Sequence, residues 1–209
     1  GLVIFSSTGN LISAEQIGGV GYDWPNQCHF DENEELIISL QFTEEIEIEE
    51  EIFISLGQSD ALLMKFNEAG NLTAHVFLSG SGSVSIADIE SISSGSTLLT
   101  GHFSGNLTYN DVIIDDFDRD EYLHNGFIGE LDSNFEWSWI SPIESTGEIL
   151  SVQMELSVNE APILGFVYTE FFEIQNFLNY SMGDFDFVLW QYASDMDYDG
   201  IPDMIDNCH

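Results

Sequence analysis

The chain has almost no positive charge. Lys65 and Arg119 are its only Lys or Arg residues, against 38 Asp and Glu, so the formal net charge at pH 7 is −36. Protein surfaces that bind nucleic acid need several cations to contact phosphates, and anionic membranes attract basic segments. The composition therefore excludes nucleic acid as a partner and argues against binding to anionic membranes.

Long apolar runs are also missing. No stretch of about 18 apolar residues occurs, so we expect no membrane insertion. No basic segment followed by an apolar one opens the chain, which starts at Gly1. This start fits a mature form left after signal removal, or equally a trimmed chain.

Cysteine is scarce. The chain has two, Cys28 and Cys208, near its opposite ends. A disulfide between them would close a loop of about 180 residues and stabilise the fold by ~5 kcal/mol on a chain-entropy argument. An extracellular or periplasmic location permits that bond. The alternative is that Cys208 pairs with a residue beyond His209.

The acidity does not come from a shortage of apolar residues. Hydrophobic residues make up 44% of the chain and aromatic residues 13%, which is enough for a sizeable core and unlike a disordered acidic tail. The self-repulsion of so negative a chain must be screened by salt or bridged by divalent cations. We therefore expect an extracellular or cell-surface location, with the periplasm as an alternative.

Alternation of apolar and polar residues dominates the sequence. Leu36–Phe42 and Val152–Val158 show it clearly, and Gly/Ser turns such as 79–83 separate such segments. This pattern predicts an all-β, jelly-roll-like sandwich over residues 1–192, without an internal repeat at a fixed period. Only residues 60–66 and 171–178 have the apolar spacing for a turn or two of helix.

The segment 44–53 is unusually rich in glutamate. Ile46 and Ile48 lie on one face of a predicted strand, and Glu45, Glu47 and Glu49 lie on the other. A solvated surface strand explains this pattern, because its charges block unwanted strand pairing. A carboxylate ladder that collects cations is the functional alternative.

No catalytic motif is present. The sequence contains no H-E-x-x-H, no G-x-S-x-G and no phosphate-binding glycine loop. A glycosidase needs two carboxylates with different pKa values, and 38 acidic residues do not nominate a pair. We expect a non-catalytic protein, with part of a secreted glycan-active enzyme as an alternative.

The C-terminal segment carries the clearest chemical motif. Counted from Asp195, acidic residues stand at positions 1, 3, 5, 9 and 12: Asp195, Asp197, Asp199, Asp203 and Asp206. Gly200 follows at position 6, where a sharp bend is needed, and Ile201 offers a backbone carbonyl at position 7. Ca²⁺ binds six to eight oxygens from a flexible loop, whereas Mg²⁺ prefers a rigid octahedral site. The spacing predicts a calcium site formed by these residues.

Two calcium-binding families use such a spacing. An EF-hand needs a helix before the loop, but Asp184–Trp190 alternates like a strand, and Pro202 stands at position 8. The string D-x-D-x-D-G-I-P-D-x-x-D-N-C at 195–208 instead resembles a thrombospondin type-3 calcium-binding repeat. The resemblance implies that these aspartates bind Ca²⁺, that Cys208 forms a disulfide, and that residues 193–209 begin a calcium-binding connector.

Two weaker signals lie in the middle of the chain. Asp111 and the acidic residues of 115–121 repeat the alternating pattern but lack the glycine and include Arg119. An acidic surface loop is the preferred interpretation, and a second calcium site is the alternative. Residues 103–110 resemble a glycine-containing strand of secreted bacterial β-sandwich proteins, a resemblance that implies no activity.

Three tryptophans are candidate ligand-binding aromatics. Trp137 and Trp139 stand two apart on a predicted strand, which places them on one face, and Trp24 lies in a predicted loop. Aromatic platforms stack against sugar rings in carbohydrate-binding sandwiches, but packing in the core is the commoner use of such residues.

These observations together predict a calcium-binding, adhesive or carbohydrate-binding module of a secreted or cell-surface protein. Its expected partners are Ca²⁺ and extracellular polysaccharide. The alternative from a different class is a structural subunit of an extracellular filament or surface assembly, whose partners are other copies of the chain.

Overall fold

A computed structural model describes residues 1–48, 51–109, 112–115, 123–174 and 177–191. These residues form twenty strands and no helix, which confirms the all-β prediction. The strands are β1 Leu2–Phe5, β2 Leu11–Glu15, β3 Gly18–Val20, β4 Asp23–Phe30, β5 Leu36–Phe42, β6 Glu45–Ile48, β7 Glu51–Ile54, β8 Asp60–Phe66, β9 Leu72–Gly80, β10 Val84–Ser91, β11 Thr97–Ser104, β12 Leu107–Tyr109, β13 Val112–Asp115, β14 His124–Leu131, β15 Trp137–Ser145, β16 Ile149–Leu156, β17 Pro162–Tyr168, β18 Phe171–Ile174, β19 Phe177–Tyr180 and β20 Asp186–Gln191.

Six five-residue turns share one hydrogen-bond pattern. In each, the N–H of the first residue donates to the carbonyl of the fifth, and the N–H of the fourth donates to the carbonyl of the first. The turns are Ser6–Asn10, Asp31–Glu35, Asn67–Asn71, Ile92–Ser96, Asp132–Glu136 and Ser157–Ala161. The fourth residue has a positive φ in all six, as in a type I turn followed by a G1 bulge.

These turns mark an internal structural repeat whose period is not fixed. Ser6, Asn67 and Asp132 begin equivalent turns and are separated by 61 and then 65 residues. Each repeat contains three hairpins in series: β1–β2, β4–β5 and β6–β7 in the first, β8–β9, β10–β11 and β12–β13 in the second, and β14–β15, β16–β17 and β18–β19 in the third. The repeat is hidden in the sequence because equivalent positive-φ positions hold residues as different as Gly70 and Phe135 in the first hairpin, or Gly95 and Glu160 in the middle hairpin.

Neighbouring repeats are joined by strand pairing. The second strand of the middle hairpin pairs with the first strand of the next repeat, as β5–β8, β11–β14 and β17–β20. β20 therefore stands where the first strand of a fourth repeat would stand. Every sheet that contains such a pair is made of strands from two repeats.

Four layers of antiparallel sheet stack on one another, which confirms the sandwich prediction. The first layer contains the sheets β1–β2 and β3–β6–β7, and the second is β13–β12–β9–β8–β5–β4. The third is β10–β11–β14–β15–β18–β19, and the fourth is β16–β17–β20.

Three hydrophobic clusters fill the spaces between the layers. The cluster between the first and second layers includes Phe42, Ile46, Met64 and Phe66. The cluster between the second and third layers includes Ile37, Leu63, Leu99, Phe103 and Phe127. The cluster between the third and fourth layers includes Leu98, Ile128, Phe166 and Phe172. An inner sheet is consequently covered on both faces. All seven residues of β8 are buried, so this segment lacks alternation. The helical turns expected at 60–66 and 171–178 were wrong, because the described residues of both ranges lie in strands β8, β18 and β19.

A backbone latch recurs where each middle hairpin begins and ends. The hydroxyl of Thr43 accepts the N–H of Tyr22 at 2.9 Å, and the N–H of Thr43 donates to the carbonyl of Tyr22 at 3.0 Å. The same pair of bonds links Ser104 with Ser83 and Thr169 with Glu148. A Cβ on the preceding glycine, for example Gly82, would collide with the hydroxyl and carbonyl oxygens of the latch residue. Glycine is therefore required at these close approaches.

Lys65 connects elements of all three repeats. Its Nζ lies 2.7 Å from Asp31 Oδ2 and 3.0 Å from Glu35 Oε2, in the turn between β4 and β5. It also lies 5.8 Å from the centroid of the Phe135 ring, in the turn between β14 and β15. Burial alone would raise the pKa of Asp31, but hydrogen bonds from Lys65 and from backbone N–H groups hold this pKa below its ordinary value. The ion pair therefore contributes stability above the ordinary pKa of an aspartate, and this contribution is lost as the pH falls below it.

The turn geometry gives a first prediction. Glu34 is exposed and has a φ of 61°, whereas Gly9, Gly70 and Gly95, the fourth residues of three other turns, carry no side chain. We expect Glu34→Gly to raise the free energy of unfolding by about 0.5–1 kcal/mol, because relief of the left-handed strain exceeds the added chain entropy. Glu32→Gly in the same turn is the matched control and should lower it. Urea denaturation measures both, and a loss of stability in Glu34→Gly would contradict the assignment.

Candidate ligand-binding groove

An open groove of about 560 Å³ lies at the edge of the second and third layers. Its lining, which defines the Trp24 groove, is Trp24, Pro25, Asn26, Gln41, Thr43, Gln58, Ser59 and Ser83. The residues come from β4, from β5 and the residue after it, and from the segments just before β8 and β10. The strand pairing between the first two repeats thus assembles the groove.

An aromatic platform stands at the groove. The rings of Tyr22 and Trp24 are stacked, with centroids 5.4 Å apart and planes inclined by 14°. Both side chains remain in solvent, at 70% and 46% exposure. The latch between Tyr22 and Thr43 fixes the backbone at one end of the platform. The platform is therefore an exposed aromatic surface on a fixed backbone.

The rest of the groove is polar and uncharged. Asn26 Nδ2 donates to Ser85 Oγ at 2.9 Å, and Gln41 Nε2 donates to Ser59 Oγ at 2.7 Å. These bonds orient both amides. None of the eight lining residues is charged, in a chain with 38 acidic residues. The groove can stack against and hydrogen-bond to a neutral ligand.

The equivalent place in the next repeat has different chemistry. His102, His124 and Glu148 occupy the positions of Gln41, Ser59 and Ser83. The two imidazole rings lie 5.7 Å apart, and His124 Nδ1 lies 3.4 Å from Glu148 Oε1. Burial, followed by the charge of His124, lowers the pKa of His102. The same backbone thus presents neutral amides at one junction and titratable groups at the next.

A buried carboxylate supports the wall of the Trp24 groove. Asp60 accepts the backbone N–H of Leu56 at 2.6 Å and that of Gly80 at 3.0 Å. Burial raises its pKa to about 6. Asn125 holds the equivalent position in the third repeat and accepts the N–H of Ser145 at 3.1 Å.

The structure corrects the placement of two predicted ligand aromatics. A bulge at residue 138 pairs Trp137 with Leu131 and Trp139 with Glu130. The two indoles therefore face opposite sides of the sheet instead of sharing one face. Trp137 packs against the cluster between the second and third layers, and Trp139 against the cluster between the third and fourth. Of the three candidates, Trp24 alone lines the groove.

The glutamate-rich strand lies on the surface as expected, but its charges do not block strand pairing, because β6 pairs with both β3 and β7. Ile46 and Ile48 are buried beneath the first layer, while Glu45 and Glu47 are exposed. Glu49 lies outside the described residues.

The predicted calcium site also lies outside the described residues, as do the connector 193–209, Cys208, Asp111 and residues 116–121. Within the part of the chain that the structure describes, no group of three or more His, Cys, Asp or Glu side chains is placed to bind a metal. Cys28 is exposed and has no disulfide partner among the described residues. The calcium site and the disulfide stay predictions.

No helix among the described residues is long and apolar enough to cross a membrane. Comparisons of the chain with protein families, with curated proteins and with solved structures find no match.

Asp60 generates a prediction about pH. The folded protein binds a proton at Asp60 near pH 6, whereas the unfolded chain binds it near 3.8. Stability from this group therefore rises as the pH falls from about 6 towards 3.8, by up to about 3 kcal/mol. Asp60→Asn should lack this rise. The free energy of unfolding of the wild type should therefore increase relative to that of the variant as the pH is lowered. Exposed Asp184→Asn is the control, and a pH-independent difference for Asp60→Asn would contradict the assignment.

Proposed function

We propose that this chain is a non-catalytic glycan-binding module of a secreted or cell-surface protein. The observation that supports the proposal is the stacked, exposed Tyr22–Trp24 pair beside a groove lined by amides and hydroxyls. Sugar rings present apolar C–H faces and outward hydroxyls, and these match the aromatic face and the polar lining.

The charge distribution narrows the class of glycan. A chain with a net charge of −36 repels anionic polymers. The uncharged lining of the Trp24 groove accepts hydroxyl groups without the cost of desolvating a carboxylate. We therefore propose neutral extracellular polysaccharide as the ligand.

Substitution of Trp24 tests the proposal. Trp24→Ala should weaken binding to a retained neutral polysaccharide roughly tenfold or more, because an aromatic stacking surface is lost. Phe30→Ala is the matched control, since Phe30 is also exposed and lies at the other end of β4. Affinity electrophoresis against a panel of neutral polysaccharides measures both variants. No retention on any of them, or equal weakening by the two substitutions, would contradict the proposal.

We also propose that residues 195–206 bind Ca²⁺ through Asp195, Asp197, Asp199, Asp203, Asp206 and the carbonyl of Ile201. The support is the alternation of carboxylates around Gly200 and the resemblance to a thrombospondin type-3 repeat. An extracellular location fits this site, because calcium and salt screen the charge of the chain. It also permits Cys208 to form a disulfide, with Cys28 as one partner.

Calorimetry tests the calcium proposal. Asp197→Asn should weaken Ca²⁺ binding at least tenfold, whereas Asp184→Asn, an acidic site outside the motif, should leave it unchanged. Removal of Ca²⁺ should preserve the β-sheet signal in circular dichroism, because hydrophobic clusters of β-strand residues hold the four layers together. Absence of binding heat, or loss of the sheet signal on chelation, would overturn this proposal.

A further inference from the structure

The outer face of the fourth layer is apolar, and no other element among the described residues covers it. This back face consists of Ile163 and Val167 on β17 and Phe187 and Leu189 on β20, and the register places Val167 beside Phe187. Leu189 is 67% exposed. Its equivalents in the preceding repeats, Leu63 and Ile128, are 0% exposed. In the two preceding repeats, the following layer covers this position.

The outer face of the first layer, at the other end of the stack, also exposes apolar residues. Val3 and Phe5 of β1 form this front face, and Phe5 is 59% exposed. Their equivalents in the second repeat, Met64 and Phe66, are buried in the cluster between the first two layers. The front face is therefore the side that, in an inner layer, packs against the layer before it.

The inner layers show what covers each face. In each of the two inner layers, the side equivalent to the back face packs against the following layer. The side equivalent to the front face packs against the preceding layer. The two outer faces are thus the complementary halves of one interlayer contact. Exposed apolar faces of this kind are typical of interaction sites.

We propose that the back face of one copy of this chain binds the front face of a second copy, so that the four-layer stacks join head to tail. Such a contact uses two different surfaces at opposite ends of the stack, so a further copy can bind at each free end and extend a linear assembly. The proposal is independent of glycan binding, because no residue of the Trp24 groove belongs to either face.

Charge sets the conditions for this contact. Two copies with a net charge of −36 each repel one another at low ionic strength. At about 1 M salt the Debye length falls to about 3 Å, and the apolar contact is then opposed much less. Association should therefore strengthen with salt, opposite to the trend for a contact made of ion pairs.

Sedimentation velocity on the full chain tests the proposal. At about 1 M NaCl the mean mass of the wild type should rise with concentration, and more than at about 0.1 M. Leu189→Glu should stay monomeric. Val158→Glu is the matched control, since Val158 is 99% exposed in the turn between β16 and β17, and it should associate like the wild type. A wild type that is monomeric at both salt concentrations, or a Leu189→Glu variant that associates equally, would overturn the proposal.

Cross-linking tests the direction of the contact. Phe5→Cys and Leu189→Cys are prepared separately with Cys28→Ser and Cys208→Ser, and treated with a short bismaleimide. A head-to-tail contact predicts covalent dimers when the two variants are mixed and none when either is treated alone. Dimers of a single variant would show a symmetric contact and would overturn the head-to-tail arrangement. Circular dichroism of each variant confirms that the fold is retained.

Discussion

The strand that each repeat contributes to its neighbour is the constraint on which the rest of this structure depends. The pairs β5–β8, β11–β14 and β17–β20 make the sheets of the second, third and fourth layers joint products of two repeats. A single repeat therefore cannot complete its own sheet. Stacking of the completed sheets then buries both faces of the inner strands, and apolar residues lose contact with water on each side.

The same constraint explains how one backbone supports different sites. The latches at Thr43, Ser104 and Thr169 hold the chain in the same geometry at each repeat. Side chains that face the edge of the stack are free to vary, because they are not needed to fill a core. Uncharged Gln41 and Ser59 at one junction thus correspond to His102 and His124 at the next.

Alternation along the sequence was sufficient to predict the all-β class, and residues 152–156 alternate in the structure as expected where burial is described. It could not predict β8, whose two faces are both covered, since covered strands have no polar side. Nor could it predict that Trp137 and Trp139 face opposite ways, because one extra residue in a bulge reverses the alternation. Trp24 was a candidate from its sequence, but its groove depends on Ser59 and Ser83, which only the pairing of two repeats brings near it.

Acidic residues are compatible with this core because layered packing leaves the turns and sheet edges in contact with solvent, and acidic residues can lie there. Asp31 and Glu35 lie in one turn and contact the side chain of Lys65. Glu34 occupies the positive-φ position of the same turn, and Glu160 that of another. The edges are also where the Trp24 groove opens, whereas the exposed apolar faces lie at the two ends of the stack. Ligand binding and association of copies would consequently use surfaces at right angles to one another. A linear assembly of such stacks would repeat the groove along its side, so several weak contacts with one polysaccharide chain would act together.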